Sequence, residues 1–175
     1  MYFYQRHKQF FAQVAGGLEK IAAAELRELG ATDLEIITRG IHFRADLLSL
    51  FRINYRSRLA TRVLAPLVKF EAKTPEELYL GAKKVDWTRI FRLDQTFAVF
   101  ANTFHSEIDH SQYASLKVKD CVVDMFRKRY KQKRPNVDPR EPDLVIAVHI
   151  FDNQVTVSID CSGGSLHRRG YRQES

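Results

Sequence analysis

The stretch that decides the fold covers residues 110–134 and reads HSQYASLKVKDCVVDMFRKRYKQKR. Apolar side chains recur along it with helical spacing, at Ala114, Val118, Cys121, Val122, Met125 and Phe126. This i, i+4, i+7, i+8 pattern predicts an amphipathic helix with one face in a core. Ser111 stands just before the pattern, where an N-cap hydroxyl is expected. The opposite face is charged and holds Lys117, Asp120, Asp124, Arg127, Lys128 and Lys131.

The same helix holds most of the excess charge of the chain. Between Gln112 and Arg134, eight Lys or Arg stand against two Asp, a local +6 out of a formal +7. One interpretation is a solvated helix end whose cations suit the helix dipole, with an Asp124–Lys128 pair as support. Because the pI is near 9.5, the alternative is a surface for a polyanion, with nucleic acid first and an anionic membrane second.

Length and composition indicate a globular protein. The chain has 175 residues, of which 45% are apolar, enough for one large domain or two small ones. No apolar run approaches the roughly 18 residues that span a bilayer, and the N-terminus has no signal-peptide pattern. The two cysteines form no CxxC pair, which favours reduced thiols and a cytoplasmic location.

The residues upstream of the basic helix alternate between strand and helix patterns. Strands are predicted at residues 10–15, 34–37, 41–44 and 61–70, and helices at residues 18–29 and 47–59. The order β-α-β-β-α-β is typical of a ferredoxin-like unit. Arg39-Gly40 is predicted to form a hairpin turn, and Pro66 is expected on an edge strand or at a bulge.

A second unit is predicted around the basic helix itself. Thr74 and Pro75 have the residue types of an N-cap and first helical position. A strand at residues 96–104 precedes the basic helix, and two strands joined at Asp152-Asn153 follow it. Trp87 is interpreted as a core or inter-unit anchor. The predicted fold class is therefore α/β, more narrowly α+β, with two consecutive units.

The sequence contains no recognisable catalytic motif of the HExxH, GxxxxGK[ST] or GxSxG type. Gly16-Gly17 lacks the spacing of a dinucleotide fingerprint and is interpreted as a strand-to-helix turn. A polar loop with His105, Glu107, Asp109 and His110 favours a cap and turn over a metal site. Asp120 and Asp124 lie among cations and are expected to be ionic partners, since such neighbours lower carboxyl pKa values.

Several of these segments resemble a known family. Residues 111–113 (SQY), 116–120 (LKVKD) and 122–126 (VVDMF) resemble the long helix of a THUMP domain. Residues 160–172 (DCSGGSLHRRGYR) are the most specific part of the resemblance. Together they are similar to the N-terminal half of bacterial 23S ribosomal RNA methyltransferases that modify the exocyclic amine at position 2 of guanine.

The resemblance implies a domain plan and a partner. It implies a ferredoxin-like unit at residues 1–48, a THUMP RNA-binding domain at 49–165 and a junction at 166–175. A covalently linked catalytic domain that binds S-adenosylmethionine is expected beyond the junction, and no cofactor is expected in this chain. The glycine-rich cofactor loop and the Asn/Asp-Pro-Pro-aromatic motif of that catalytic domain are not found in this sequence.

The expected partner is RNA, with 23S ribosomal RNA preferred and no membrane. The residues predicted to contact it, through phosphates or by stacking of the tyrosine, are Lys117, Lys119, Arg127, Lys128, Lys131, Lys133, Arg134, Arg168, Arg169 and Tyr171. One alternative is a THUMP module of a transfer RNA modifying enzyme. Another is a protein-interaction module whose basic face binds an acidic partner.

Overall fold

The computed structural model describes residues 1–166. The described residues form two compact units, one of Met1–Pro66 with residues 160–166 and one of Leu67–Ile159. The long strand β4 (Ala60–Glu71) begins in unit 1 and ends in unit 2. The units therefore meet in sequence at Pro66, later than residue 48. The limits 1–48, 49–165 and 166–175 remain a prediction.

Unit 1 has the β-α-β-β-α-β order expected from the sequence, preceded by a short helix that was not predicted. Its elements are α1 (Phe3–His7), β1 (Gln9–Val14), α2 (Glu19–Glu28), β2 (Thr32–Ile37), β3 (Gly40–Arg44), α3 (Leu47–Arg56) and the first part of β4. The strands are ordered β2-β3-β1-β4, and each neighbouring pair is antiparallel. On β1, buried Phe10, Ala12 and Val14 alternate with more exposed residues, so one side of this sheet belongs to the core.

The hairpin between β2 and β3 forms at the predicted place, but of its two turn residues only Arg39 has a positive φ, 58°. Gly40 begins β3 and pairs with Gln13, and a Cβ there would lie 2.1 Å from the ring of Phe11. Glycine is required at position 40 because an aromatic ring covers the backbone.

A carboxylate within the apolar pattern of α2 joins two segments of unit 1. The Glu25 side chain is 10% exposed. Its oxygens accept hydrogen bonds from Ser57 Oγ (2.7 Å) and from the amides of Arg58 (3.0 Å) and Leu59 (3.2 Å). Burial raises the pKa of Glu25, but these donors outweigh it and leave the pKa below its ordinary value. Glu25 thus fastens the connection between α3 and β4.

Unit 2 is built on a mixed sheet with helices on one side. After the second part of β4 come α4 (Pro75–Ala82), a 3₁₀ turn (Trp87–Arg89), β5 (Phe97–Phe104), α5 (Ser111–Arg129), β6 (Leu144–Phe151) and β7 (Gln154–Asp160). The strands are ordered β4-β7-β6-β5, with β5 and β6 parallel and β6 and β7 antiparallel. Asp152 and Asn153 both have positive φ, as a tight hairpin turn requires.

The edge-strand alternative for Pro66 is wrong. β4 is not an edge strand, because β1 and β7 are its two neighbours. The last β4 residue paired with β1 is Leu64, opposite Phe11. Pro66 lies beyond that pairing, so its missing N–H removes no hydrogen bond to β1.

Aromatic side chains form the core of unit 2. Trp87 is fully buried and donates from Nε1 to the carbonyl of Ala82 at 3.1 Å, which confirms its interpretation as a core residue. The ring of Phe126 on α5 lies 4.8 Å from that of Phe91, which in turn lies 5.4 Å from that of Phe97 on β5. These contacts pack α5 against the sheet.

Three details of α5 differ from expectation. The N-cap is His110, without a side-chain cap, and Ser111 is already helical. Met125 is half-buried, and its Sδ accepts the amide N–H of Trp87 at 3.2 Å. Val123, which the periodicity left outside the apolar face, is buried.

We expect Phe126→Ala to lower the free energy of unfolding by about 3–5 kcal/mol, because it removes a fully buried ring from the aromatic core. Leu116→Ala is the matched control, since Leu116 lies on the same helix and is 46% exposed. Urea denaturation of both variants measures the difference. Equal losses in the two variants would contradict the assignment of Phe126 to the core.

For Glu25→Gln we expect a loss of about 1.5–3 kcal/mol near pH 7, the range for hydrogen bonds to a charged group. Because the folded-state pKa of Glu25 is lowered, its stabilisation is present above the ordinary glutamate pKa and is lost as pH falls through the folded-state value. The stability difference from the parent should therefore shrink at acid pH. Glu28→Gln, an exposed change on the same helix, should give little difference at any pH. A difference independent of pH would refute this account.

Candidate nucleic-acid interface

Helix α5 ends in a turn that keeps the following cations beside its last turn. The amide of Tyr130 donates to the carbonyl of Phe126 (2.8 Å), and that of Gln132 donates to the carbonyl of Arg127 (2.9 Å). Lys131 and Gln132 both have positive φ, at 49° and 71°. Left-handed residues that satisfy the final carbonyls are a usual helix ending. The cationic residues therefore have a defined backbone position.

The cations at this helix end are exposed and largely without counter-charge. Arg127 Nη1 lies 3.8 Å from an oxygen of Asp124. The other five are Lys128, Arg129, Lys131, Lys133 and Arg134, which we call the basic end. Within residues 1–166, no acidic group lies within 4 Å of their charged atoms. Five uncompensated charges in so short a segment attract a polyanion.

A shallow groove adds cations that the sequence analysis did not select. It has a volume of about 450 Å³ and is lined by Lys83, Lys84, Asp86, Thr88, Met125, Lys128 and Arg129; we call it the basic groove. Lys83 and Lys84 follow α4 and are exposed, and Lys84 Nζ lies 5.7 Å from the ring centroid of Phe70. The adjacent lysines were visible in the sequence, but their position opposite α5 was not.

Lys117 and Lys119, also predicted contacts, have different surroundings. Lys117 Nζ lies 3.6 Å from Glu76 and 5.4 Å from the ring centroid of Tyr113. The neighbouring Tyr113 side chain is the main reason that the pKa of Lys117 is raised. Lys119 Nζ lies 2.6 Å from Asp120. Along the helix, Lys117 is about 15 Å from Arg127. These two lysines are already paired and lie apart from the basic end.

The carboxylates of α5 serve as ionic and hydrogen-bonding partners, as predicted. Asp124 Oδ2 accepts a hydrogen bond from the hydroxyl of Tyr79 on α4 at 3.0 Å. Burial, followed by this bond, raises the pKa of Tyr79 to about 12, so the phenol stays protonated. Asp124 pairs with Arg127, the residue before the Lys128 that the helical spacing had suggested. The Tyr79 bond ties α4 to α5 beside the basic groove.

The structure of residues 1–166 gives no support for a metal site, a reactive thiol or a membrane-spanning helix. Among residues 1–166 no three His, Cys, Asp or Glu side chains are grouped so that they could hold a metal ion. Burial raises the pKa of both free thiols, Cys121 and Cys161, to about 12. No helix within that range has the length and apolarity needed to cross a membrane.

The strand-to-helix turn at Gly16-Gly17 does not fit a nucleotide cofactor. Gly17 has φ of 87°, as a tight turn requires. Its amide donates to Glu19 Oε2, and the amide of Arg39 donates to Glu19 Oε1, both at 2.9 Å. The bond from Arg39 is the main reason that the pKa of Glu19 is lowered. A carboxylate thus takes the place where a cofactor phosphate or hydroxyl would accept these bonds.

Three predicted contact residues, Arg168, Arg169 and Tyr171, lie outside the described residues. The remaining seven predicted residues all lie on α5 or directly after it. The structure brings Arg127, Lys128, Lys131, Lys133 and Arg134 together at one end of the helix.

Comparison with known proteins identifies both units. Residues 72–160 match the THUMP domain family, and residues 9–64 match the RlmL ferredoxin-like domain. The chain is 45% identical over 166 residues to "Ribosomal RNA large subunit methyltransferase K/L" of Syntrophotalea carbinolica. It is 44% identical over 165 residues to "Putative RNA methyltransferase slr0064" of Synechocystis sp.. A solved structure, "SMU.472, a putative methyltransferase complexed with SAH", superposes with a TM-score of 0.79 at 27% identity.

The chain is shorter than these proteins. The matches cover 94–95% of the chain, but only 23% of the first relative, 43% of the second and 44% of the solved structure. What this chain shares with them is therefore the pair of units described above.

We expect Lys83→Gln/Lys84→Gln to elute from a heparin column at lower salt than the parent, because it removes two exposed cations from the basic groove. Lys20→Gln/Lys73→Gln changes the net charge equally but outside the groove, and Lys73 is paired with Glu71. This control should elute close to the parent. If both variants shift equally, net charge and not the groove governs binding.

Proposed function

This chain belongs to the THUMP domain family, and we propose that it is the RNA-recognition part of a ribosomal RNA methyltransferase. The observation that carries the proposal is the basic end, five exposed cations with no acid within 4 Å among residues 1–166. Lys and Arg side chains of this kind neutralise phosphates and release the counterions of a nucleic acid.

We rank the proposed phosphate contacts by whether each cation already has an acidic partner. The basic end and the basic groove are the primary phosphate contacts, because their charges are free to meet a polyanion. Lys117 and Lys119 must first exchange an acidic partner, so we propose them as secondary contacts. Arg127 is intermediate, since its carboxylate lies 3.8 Å away. Arg168, Arg169 and Tyr171 stay proposals from the sequence.

We further propose that the activity belongs to a longer protein that contains this chain. In it, a linked domain would transfer a methyl group from S-adenosylmethionine to the exocyclic amine of a guanine in 23S ribosomal RNA, in the cytoplasm. The name of the Syntrophotalea relative and the greater length of both relatives support this proposal. The S-adenosylhomocysteine complex of the solved structure supports the choice of methyl donor.

The proposal predicts that RNA affinity falls with salt and that the basic end sets the slope. Lys128→Gln/Lys131→Gln should weaken binding to a fragment of 23S ribosomal RNA. It should also lower the slope of log K against log salt by about one to two units, since each phosphate contributes about 0.7–0.9. Lys117→Gln/Lys119→Gln removes the same charge from acid-paired positions and should have the smaller effect. Filter binding over a salt series measures both slopes.

The outcomes separate the proposal from its rivals. A salt-independent affinity, or a basic-end variant that binds as well as the parent, would refute RNA recognition by this helix end. Tighter binding to transfer RNA than to every 23S fragment would favour a transfer RNA modifying enzyme. Binding to an acidic protein with no measurable RNA affinity would favour a protein-interaction module.

A further inference from the structure

One side of the unit 2 sheet faces the helices and carries its core. On β6 the buried residues are Ile146, Val148 and Ile150, every second position along the strand. On β5, Phe97 points to the same side, because its ring contacts Phe91, which contacts Phe126 of α5. Side chains at the positions between these residues therefore point to the opposite side of the sheet.

That opposite side presents aromatic rings to solvent. Phe100, Phe104 and Phe151 are 47%, 56% and 48% exposed. Phe104 and Phe151 are register partners on β5 and β6, and His149 pairs with Asn102. The rings of Phe104 and His149 lie 6.2 Å apart. We call Phe100, Phe104, His149 and Phe151 the open sheet face.

The rings are spaced as separate platforms. Phe100 and Phe104 are four residues apart on β5, about 13 Å along a strand, which is too far for both to stack on one base. Polar side chains lie among them, since Thr156 is the register partner of His149 and Gln154 that of Phe151. Such groups can hydrogen-bond to the edges of a base that lies on a neighbouring ring.

The basic end is anchored beside the start of the same strand. After residues 131–134 the chain pairs with β5: the amide of Phe97 donates to Asn136, and the amide of Asp138 donates to Phe97, both at 3.1 Å. Val137, between those residues, is 41% exposed. Phe100 follows Phe97 by three residues, about 10 Å along the strand. The basic end therefore leads to the end of β5 that is nearer to Phe100 than to Phe104.

We propose that the open sheet face binds a single-stranded segment of RNA, with bases stacked on Phe100 and Phe104 and phosphates on the basic end. The inference rests on the proposed function, because it names the kind of RNA that this unit recognises. Unpaired bases stack on aromatic side chains whatever their sequence, and a positively charged groove beside the rings holds the backbone. A paired duplex keeps its bases stacked on each other and offers no such faces.

The composition of the open sheet face favours RNA over a protein partner. Its large exposed apolar side chains are all aromatic, polar residues separate them, and the segment that follows the basic end pairs with the start of β5. Helix α3 differs, because it exposes Leu47 and Leu48 beside Phe51.

The test compares a single-stranded RNA of about 12 nucleotides with a blunt duplex of the same sequence, by fluorescence anisotropy. We expect Phe100→Leu/Phe104→Leu to bind the single strand at least about fivefold more weakly, since one stacked base is worth roughly 5- to 150-fold. Duplex affinity should change less than about twofold. Phe104→Tyr keeps a ring and should bind as the parent does. Phe51→Leu, an exposed aromatic change in unit 1, is the matched control.

A second measurement uses only the parent protein, so it does not depend on whether a variant folds. Ultraviolet cross-linking of a bromouridine-substituted single strand to the parent should give adducts on the peptide that contains Phe100 and Phe104. Adducts confined to other peptides would overturn the inference.

Three further results would also overturn it. Equal single-strand affinity of the leucine variant and the parent would do so while leaving RNA binding by the basic end intact. Failure of the parent to bind either RNA would remove the proposed function as well. Light scattering that shows a dimeric parent and a monomeric leucine variant would make the open sheet face a self-association surface.

Discussion

The ring contacts that join Phe126 to Phe91, and Phe91 to Phe97, fix the orientation of α5 and β5 in unit 2. They place the apolar side of α5 on the sheet, so that its charged side must face water. They also decide which side of β5 belongs to the core. Because strand side chains alternate, the same contact that buries Phe97 sends Phe100 and Phe104 to the open side. One packing interaction thus determines the orientation of both the cations and the exposed rings.

Whether a cation of α5 is neutralised depends on which side chain lies opposite it. α4 lies beside α5. Glu76 of α4 lies near Lys117, and Tyr79 of α4 donates a hydrogen bond to Asp124. Lys83 and Lys84, which follow α4, lie near the end of α5. Cations near the start of α5 are therefore neutralised, while those at its end accumulate. The phosphates of a polyanion would therefore meet a cluster of unpaired cations at the basic end and the basic groove.

Unit 1 has the ferredoxin-like arrangement. Its defining polar contact is internal, the Glu25 carboxylate that accepts from Ser57, Arg58 and Leu59. Such a contact holds the connection into β4, the strand that continues into unit 2. Within unit 1 the Glu25 carboxylate thus satisfies backbone and side-chain donors, and the ring of Phe11 packs against the backbone at Gly40.

The sequence by itself determined the element order, the amphipathic α5, the Asp152-Asn153 hairpin and the local excess of charge, because each depends on residues close together in the chain. The family resemblance was also readable from contiguous motifs. Only the tertiary structure decided that Lys117 meets Glu76, that Lys83 and Lys84 border the basic end, and that β4, with Pro66, has neighbours on both sides. These outcomes depend on which distant elements pack together, and no local pattern of hydrophobicity or charge encodes that choice.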